Sequence, residues 1–292
     1  MSLSPILAII SAFLYGVSMV FARVGLKSGE SFAGGVISMG FSFVGSLVIL
    51  FFVPLSHFTG WAVLFFMLAG VVGPCLGRFL LFAGINRVGS SIASVVYAIK
   101  PLFSAIAAVF ILGESLTVII AFATLVMIAG LAVVGSETSG GQIERSWSKK
   151  DLIFPLMAGA AYGFCHILRK IGLNITPDPL MGVVAQNVAA ISFSVTLMLV
   201  KKDKQTATWK NLHAWFFFGL AGIMSILGQL SIFYALMIGT VIVVSPLSTI
   251  SPLFVIIMAA LFLRKMEKVT LRIVMGAVLI VAATALLSIF HE

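Results

Sequence analysis

The stretch FLYGVSMVFARVGL (residues 13–26) returns later in the chain as AAYGFCHILRKIGL (residues 160–173). The two stretches keep one offset, so that Tyr15-Gly16 matches Tyr162-Gly163. A match of several positions at a constant offset indicates an internal duplication. The sequence therefore predicts a chain built from two related halves.

A second echo occurs further along each half, where KPLF (residues 100–103) is answered by SPLF (residues 251–254). Both lie inside apolar segments of a chain that is 61% hydrophobic and 9% charged, with a mean hydropathy of +1.21. A soluble domain carries about 25% charged residues, so the composition indicates an integral membrane protein. Duplication in such a hydrophobic chain is typical of secondary transporters, whose substrate lies between two repeats near the middle of the bilayer.

Ten segments reach the length of about 20 apolar residues that a membrane-spanning helix needs. The longest polar stretch, residues 136–150, separates the fifth segment from the sixth. The sequence therefore predicts an all-α membrane protein with a first five-helix repeat over 1–135, a polar linker over 136–150 and a second five-helix repeat over 151–292. The ten segments are 4–25, 32–54, 61–83, 88–111, 117–135, 151–173, 178–200, 211–236, 240–263 and 269–290.

An odd number of helices in each half means that the second half enters the membrane from the opposite side, so the repeats are predicted to be inverted. Lys and Arg collect in cytoplasmic loops of membrane proteins, and here they collect after odd-numbered segments. This bias predicts a multi-pass protein of the cell (inner or plasma) membrane with both termini outside the cytoplasm. The opposite side carries only Arg169 and Lys170, whereas the cytoplasmic set is Arg23, Lys27, Arg87, Arg145, Lys149, Lys150, Lys201, Lys202, Lys204, Lys210, Arg264, Lys265, Lys268 and Arg272.

Several phrases of the sequence resemble a known family. They are A-x-x-Y-G at residues 12–16, GRFLLFAGINRVGSSIAS at 77–94 and PLFSAIAAVFILGESLT at 101–117, with FYALMIGT (233–240) and PLFVIIMAALFLRKMEKVT (252–270) in the second half. In order and spacing the chain resembles the drug/metabolite transporter superfamily, and within it the ten-helix EamA-type family. The resemblance implies an inverted-repeat carrier that works by alternating access, usually as an exporter. It also implies a central cavity lined mainly by helices one to four and six to nine.

The positions of the acidic residues argue against a cationic substrate. All nine lie in predicted loops or at helix ends, and none lies deep in a membrane segment. A carrier of cationic drugs generally uses a buried carboxylate, so efflux of such cations is disfavoured, although a cage of aromatic rings can also hold a cation. The nine are Glu30, Glu114, Glu137, Glu144, Asp151, Asp178, Asp203, Glu267 and Glu292.

Two basic residues lie within predicted membrane segments, where the sequence has no deep carboxylate. Lys100 lies about twelve residues into the fourth segment, roughly 18 Å from its end, and Arg78 lies in the third segment. A charge at a helix centre costs on the order of 2.5–3.5 kcal/mol and usually faces a cavity or a partner. We interpret the pair as a site for an anionic group of a small metabolite. The alternative is that burial leaves Lys100 neutral and that Arg78 caps carbonyls freed near Pro74.

Polar side chains repeat at helical spacing on three segments and should face inward, away from lipid. Tyr15, Tyr97 and Tyr162 belong to these stripes and are predicted to line the cavity, unless they only pack. The members of the stripes are Ser11, Tyr15 and Ser18, then Ser94, Tyr97, Lys100 and Ser104, and finally Tyr162, His166 and Arg169.

Two further side chains complete the predicted site. His166 is the only histidine deep in a membrane segment, and an imidazole titrates near neutral pH in water. It is therefore either a proton-coupling group or a fixed hydrogen-bonding residue. Gln229 is predicted to be a donor, either to substrate or between helices. The predicted substrate-binding residues are Tyr15, Arg78, Tyr97, Lys100, Tyr162, His166 and Gln229.

The sequence thus predicts a secondary carrier of small metabolites that acts in the lipid bilayer without a cofactor or metal. Within transport, the alternative is an exporter of zwitterionic amino acids or of aromatic, drug-like compounds. Outside transport, the alternative is a membrane partner or sensor that carries no substrate. Coupling to protons or to a counter-substrate stays open, as does the choice between monomer and homodimer. No nucleic-acid partner is expected, because the basic charge follows the membrane topology. No motif of an enzyme is present.

Overall fold

The computed structural model describes residues 3–52, 59–88, 93, 96–97, 99–138, 148–201, 206–251, 253–255, 258, 275–276, 278–280, 282–283 and 286. Within these residues every regular element is a helix, as the sequence predicts. The main helices are α1 (Leu3–Gly25), α2 (Ser31–Phe52), α3 (Gly60–Val88), α4 (Lys100–Leu112), α5 (Val118–Thr138), α6 (Ile153–Ile175), α7 (Pro179–Lys201), α8 (Leu212–Ile238) and α9 (Val241–Ser248).

Six helices of the described part are long and apolar enough to cross a membrane, namely α1, α2, α3, α6, α7 and α8. They match six of the predicted segments and confirm a multi-pass membrane protein. Helices α4 and α9 are apolar but shorter, and α5 is apolar over Val118–Gly130. The tenth predicted segment, 269–290, lies largely outside the described residues, so the ten-span layout stays a prediction.

The outer surface of the bundle is apolar, as a lipid-facing surface must be. Phe51, Phe110 and Val118 expose more than four-fifths of their side chains. In a soluble protein such residues would be buried. Buried polar and charged side chains lie inside the same bundle, among a larger number of buried apolar side chains.

The long helices pack mainly across the two halves of the chain. Helix α1 makes its largest contact with α8, and α6 makes its largest contact with α3. A Gly73-x-x-x-Gly77 motif on α3 serves this second contact. A Cβ on Gly73 would lie 2.5 Å from the sulfur of Cys165, and one on Gly77 would lie 2.9 Å from the ring of Tyr162. Small residues therefore let α3 and α6 approach closely.

The repeated stretches of one half contact the repeated stretches of the other half. Gly16 packs on the SPLF stretch, where a Cβ at Gly16 would lie 3.0 Å from the Phe254 Cβ. Gly163 packs on the KPLF stretch, where its Cβ would lie 3.0 Å from the Phe103 Cβ. Each Tyr-Gly pair thus contacts the Pro-Leu-Phe stretch of the other half, which explains why both motifs occur twice.

The start of α4 differs from the prediction for Lys100. The helix begins at Lys100 after a turn at Ile99, with Pro101 in its first turn. Proline is favoured there because its missing N–H would have no partner in the first turn. Lys100 is therefore at a helix start, not twelve residues into a helix, yet it is buried with 4% of its side chain exposed.

The α8–α9 turn is held by two charged side chains from other helices. The Glu114 carboxylate accepts hydrogen bonds from the N–H groups of Val241 (2.9 Å) and Ile242 (3.0 Å). The Lys170 ammonium donates to the carbonyls of Leu236 (2.8 Å) and Gly239 (2.9 Å). A negative charge at a helix start and a positive charge at a helix end both stabilise the helix. Glu114 thus lies at a helix end, as the sequence predicts.

We expect Glu114→Gln to destabilise the protein by about 1 kcal/mol, because an amide offers one neutral acceptor where the carboxylate offers two charged ones. Thermal unfolding of the purified protein in detergent measures the loss. Glu30→Gln is the matched control, since the Glu30 side chain is exposed. Equal melting temperatures of the two variants would contradict this role of Glu114.

Candidate functional site

A cavity lies between the helices of the two halves, and the space of about 650 Å³ that belongs to it includes open solvent. Its wall is formed by α1, α2, α3, α4, α6, α8 and α9, with residues 97 and 251. The lining residues are Tyr15, Ser18, Met19, Ala22, Ser38, Arg78, Leu81, Phe82, Tyr97, Lys100, Tyr162, His166, Arg169, Ser225, Ser248 and Ser251.

The cavity lies towards one end of the bundle. On α1 the lining residues fall within 15–22, and on α3 within 78–82, which is the C-terminal half of each helix. The opposite end is filled by packed side chains, among them Phe66 and Phe233, whose rings meet edge to face at 5.7 Å. Both rings are fully buried. The cavity therefore approaches the end of the bundle where α1 and α3 finish.

Six of the seven predicted site residues line this cavity: Tyr15, Arg78, Tyr97, Lys100, Tyr162 and His166. Gln229 is not among the lining residues. Its side-chain amide is 1% exposed and is engaged at both ends, by Gln186 and by Ser225. In this structure the Gln229 amide therefore bridges helices behind the wall, and a contact of Gln229 with substrate stays a prediction.

The side chain of Lys100 lies beside a serine hydroxyl and a tyrosine ring. Its ammonium donates to the Ser248 hydroxyl at 3.0 Å and lies 5.8 Å from the centre of the Tyr97 ring. No carboxylate is among the described residues that line the cavity. Lys100 is thus held by neutral groups and keeps donor capacity, because an ammonium has three N–H bonds.

Arg78 is likewise held by neutral hydroxyls. One terminal nitrogen donates to the Ser38 hydroxyl at 3.0 Å and the other to the Ser225 hydroxyl at 2.8 Å. The Tyr162 side chain lies within reach of the same guanidinium. Arg78 therefore bonds side chains of α2 and α8, which replaces the alternative that it caps carbonyls near Pro74.

A third cation, Arg169, also lines the cavity. The charge distribution along the sequence groups it with the outer side, but it lies inside α6 and only 1% of it is exposed. Its guanidinium is 5.1 Å from the Phe233 ring centre, and Tyr15 lies within its reach. The polar stripe that it forms with Tyr162 and His166 was the signal for this placement.

A chain of buried hydrogen bonds joins the two arginines. Arg169 Nε donates to Gln186 Oε1 (2.7 Å), and Gln186 Nε2 donates to Gln229 Oε1 (2.8 Å). Gln229 Nε2 donates to Ser225 Oγ (3.3 Å), which also accepts from Arg78. Because each arginine can only donate, the two of them fix the direction of the amides between them.

The tyrosines form an aromatic wall beside these cations. The rings of Tyr97 and Tyr162 meet edge to face, with centroids 5.6 Å apart. The ring of Tyr162 packs on Gly77, and the ring of Tyr15 lies 3.4 Å from a Cβ placed on Gly228. The duplicated tyrosines thus hold corresponding places in the two halves and give the cavity flat apolar surfaces next to polar groups.

The remaining members of the predicted stripes have local partners. Ser11 donates to the Gly228 carbonyl at 2.9 Å, and Ser104 donates to the Ser245 hydroxyl at 2.6 Å. Ser18 lines the cavity and donates to the Ala221 carbonyl at 2.7 Å. Ser94 lies outside the described residues. The serines of the stripes therefore mostly join helices.

The site combines three buried cations with hydroxyl groups and aromatic rings. Within the described ranges, no group of three His, Cys, Asp or Glu side chains comes together that could hold a metal ion. Buried charges in a membrane protein usually mark a substrate or ion pathway. The arrangement is suited to holding an anionic group in a cavity that also accepts an apolar group.

Comparison with known proteins agrees with this architecture. A solved structure described only as "Crystal structure of protein" is similar over 100% of this chain and 98% of its own, with a TM-score of 0.78 and 14% identity. At this identity the likeness concerns the fold alone. No curated protein matches the chain. The model of the EamA-like transporter family matches the chain twice, over residues 2–136 and 149–289. With both matches covering nearly its whole length, the chain belongs to the EamA-like transporter family.

Proposed function

We propose that this membrane protein is a secondary carrier of small organic anions, and that Lys100 and Arg78 hold the anionic group in the cavity between its halves. The observation that supports this most is the convergence of Lys100, Arg78 and Arg169 on a cavity whose described wall has no carboxylate. Three like charges repel each other, and burying them is unfavourable without a partner. An anionic substrate supplies the missing negative charge.

The apolar part of the wall favours a substrate with an aromatic or other apolar group. Tyr97, Tyr162 and Phe82 line the cavity beside the cations. Aromatic side chains stack on rings and leave their polar ends to bond. An aromatic carboxylic acid therefore suits the cavity better than a compact inorganic anion. A zwitterionic aromatic amino acid is the second candidate, with Lys100 meeting its carboxylate.

The proposed architecture is two inverted five-helix repeats that rock around the cavity. The crossed packing of α1 on α8 and of α6 on α3 supports it, as does the double family match. With both termini outside the cytoplasm, as the charge bias predicts, the ends of α1 and α3 near the cavity are cytoplasmic. A cavity on that side suits loading of a substrate from the cytoplasm and its export.

Transport by the purified protein in proteoliposomes tests the proposal. The panel is malate and phenyllactate as anions, phenylalanine as a zwitterion and choline as a cation. We expect uptake of at least one anion and little uptake of choline. Lys100→Ala and Arg78→Ala should each raise the KM for the anion about 10-fold or more, since a hydrogen bond to a charged group contributes about 1.5–3 kcal/mol.

Arg87→Ala is the control for loss of a positive charge. Arg87 lies outside the cavity, 3.8 Å from Asp151 and stacked on the Phe154 ring at 3.6 Å. It should leave the KM for the anion close to the parent value. Unchanged anion transport in both cavity variants, or preference of the parent for choline, would refute the anion proposal.

A further inference from the structure

The three cations of the cavity differ in how many of their N–H groups have hydrogen-bond partners in the protein. Both terminal nitrogens of Arg78 donate to serine hydroxyls, and Lys100 donates to Ser248. Arg169 donates through Nε to Gln186, but its Nη2 is buried without a hydrogen-bond partner among the described residues. A buried charged donor without a partner is strongly unfavourable, so this atom needs an explanation.

The surroundings of Arg169 fix its guanidinium before any ligand arrives. Gln186 holds the Nε edge at 2.7 Å, and the Phe233 ring lies 5.1 Å from the guanidinium carbon. Gln186 is itself oriented by Gln229. With these two constraints the planar group keeps one orientation, and its Nη2 remains to bind. Preorganised donors of this kind bind carboxylates well, because little entropy is lost on binding.

A second unpartnered atom lies one helical turn away. His166 is 3% exposed and lines the cavity, and its Nδ1 has no hydrogen-bond partner within the described part of the chain. His166 and Arg169 are three residues apart and thus share a face of α6. Two buried polar atoms without partners on one wall of a cavity indicate a place that a ligand with several oxygens fills.

We propose that Arg169 is the anchor for the substrate carboxylate, with His166 bonding a polar group next to that carboxylate, such as a 2-hydroxyl. This rests on the proposed function and deepens it, since it names the binding residue and the chemical class of the substrate, a 2-hydroxy acid or a similar carboxylic acid. Lys100 and Arg78 bind the same carboxylate, as proposed above, and serines hold them in place. Gln186 and Phe233 position Arg169 without touching the ligand.

The test compares an acid with its amide. Binding of phenyllactate and of phenyllactamide to the purified full-length protein in nanodiscs is measured by calorimetry for the parent, Arg169→Gln, Arg169→Lys and the control Arg87→Gln. We expect the parent and the control to prefer the acid by about 10- to 100-fold, as a charge-assisted hydrogen bond contributes about that factor. Arg169→Gln should bind both compounds equally weakly, and Arg169→Lys should recover part of the preference.

This comparison separates a binding role from a structural one. A damaged fold weakens the acid and the amide alike, whereas loss of the anchor removes only the preference for the acid. If Arg169→Gln keeps that preference while the parent transports anions, the inference on Arg169 is wrong and the proposed function stands. If the parent neither prefers the acid nor transports any anion of the panel, both are wrong.

Discussion

Replacing Gly70 by alanine is expected to push α3 away from α7 and to destabilise the protein by about 1–3 kcal/mol or more. A Cβ at Gly70 would lie 2.1 Å from the carbonyl oxygen of Gln186 and 2.9 Å from its carbonyl carbon. These are backbone atoms of a neighbouring helix, so no side-chain rotation relieves the overlap. The two helices have to separate over several residues, and their packing is lost with the contact.

The effect should reach the cavity, because Gln186 also accepts the hydrogen bond of Arg169. Displacing the backbone of Gln186 removes the group that orients this arginine. We therefore expect Gly70→Ala to lower both the melting temperature and the binding of phenyllactate. Thermal unfolding and calorimetry in nanodiscs measure the two quantities on the same preparation.

Gly40→Ala is the matched control for this substitution. Gly40 also lies inside a membrane helix, but a Cβ there meets no atom within 4 Å. It should be neutral or stabilise the protein by up to about 1 kcal/mol, because alanine loses less backbone entropy than glycine in a helix. A melting temperature of Gly70→Ala equal to that of Gly40→Ala would show that α3 and α7 tolerate separation.

The duplicated motifs predict two related halves, and the structure adds which parts of those halves contact each other. Gly16 and Gly163 recur because each packs against the Pro-Leu-Phe stretch of the other half. Six of the long helices follow directly from the length of their apolar segments. The polar stripes predicted which face of α1 and of α6 turns inward, because a polar stripe is unfavourable against lipid. These features recur at regular intervals along the chain, so they can be recognised in a single sequence.

The partners of individual polar groups could not be predicted in the same way. Gln186, Gln229 and Ser225 come from two helices, and only their packing brings them into one chain between Arg169 and Arg78. The sequence places Arg169 both among the charges of the outer side and in the inward-facing stripe of α6. Its burial depends on α6 continuing to Ile175 and on the contact with Phe233. Such contacts are set by tertiary packing, which hydropathy does not contain.

Gln186→Glu is expected to abolish anion binding with little change in the shape of the wall. The new carboxylate keeps an oxygen for Arg169 Nε and adds a full negative charge. Two unit charges 4 Å apart attract by about 4 kcal/mol at an effective dielectric constant of 20. A substrate hydrogen bond to a charged group contributes only about 1.5–3 kcal/mol. The resident carboxylate should therefore neutralise Arg169 more strongly than the substrate does.

The hydrogen-bond chain can accommodate this change, which keeps the variant interpretable. Gln229 can turn its amide so that its NH₂ group faces the carboxylate and its oxygen faces the Ser225 hydroxyl, which can donate. We expect the preference for phenyllactate over phenyllactamide to disappear and uptake of malate to fall about 10-fold or more.

Asn187→Asp is the control variant. It adds a buried carboxylate at the next position of α7, which is not among the lining residues of the cavity. Loss of uptake in Gln186→Glu with the acid preference intact would show that Arg169 does not meet the substrate. An equal loss of the preference in Asn187→Asp would show that any negative charge on α7 has the same effect. The specific expectation is that only a carboxylate within reach of Arg169 removes the preference, because it occupies the group that the substrate needs.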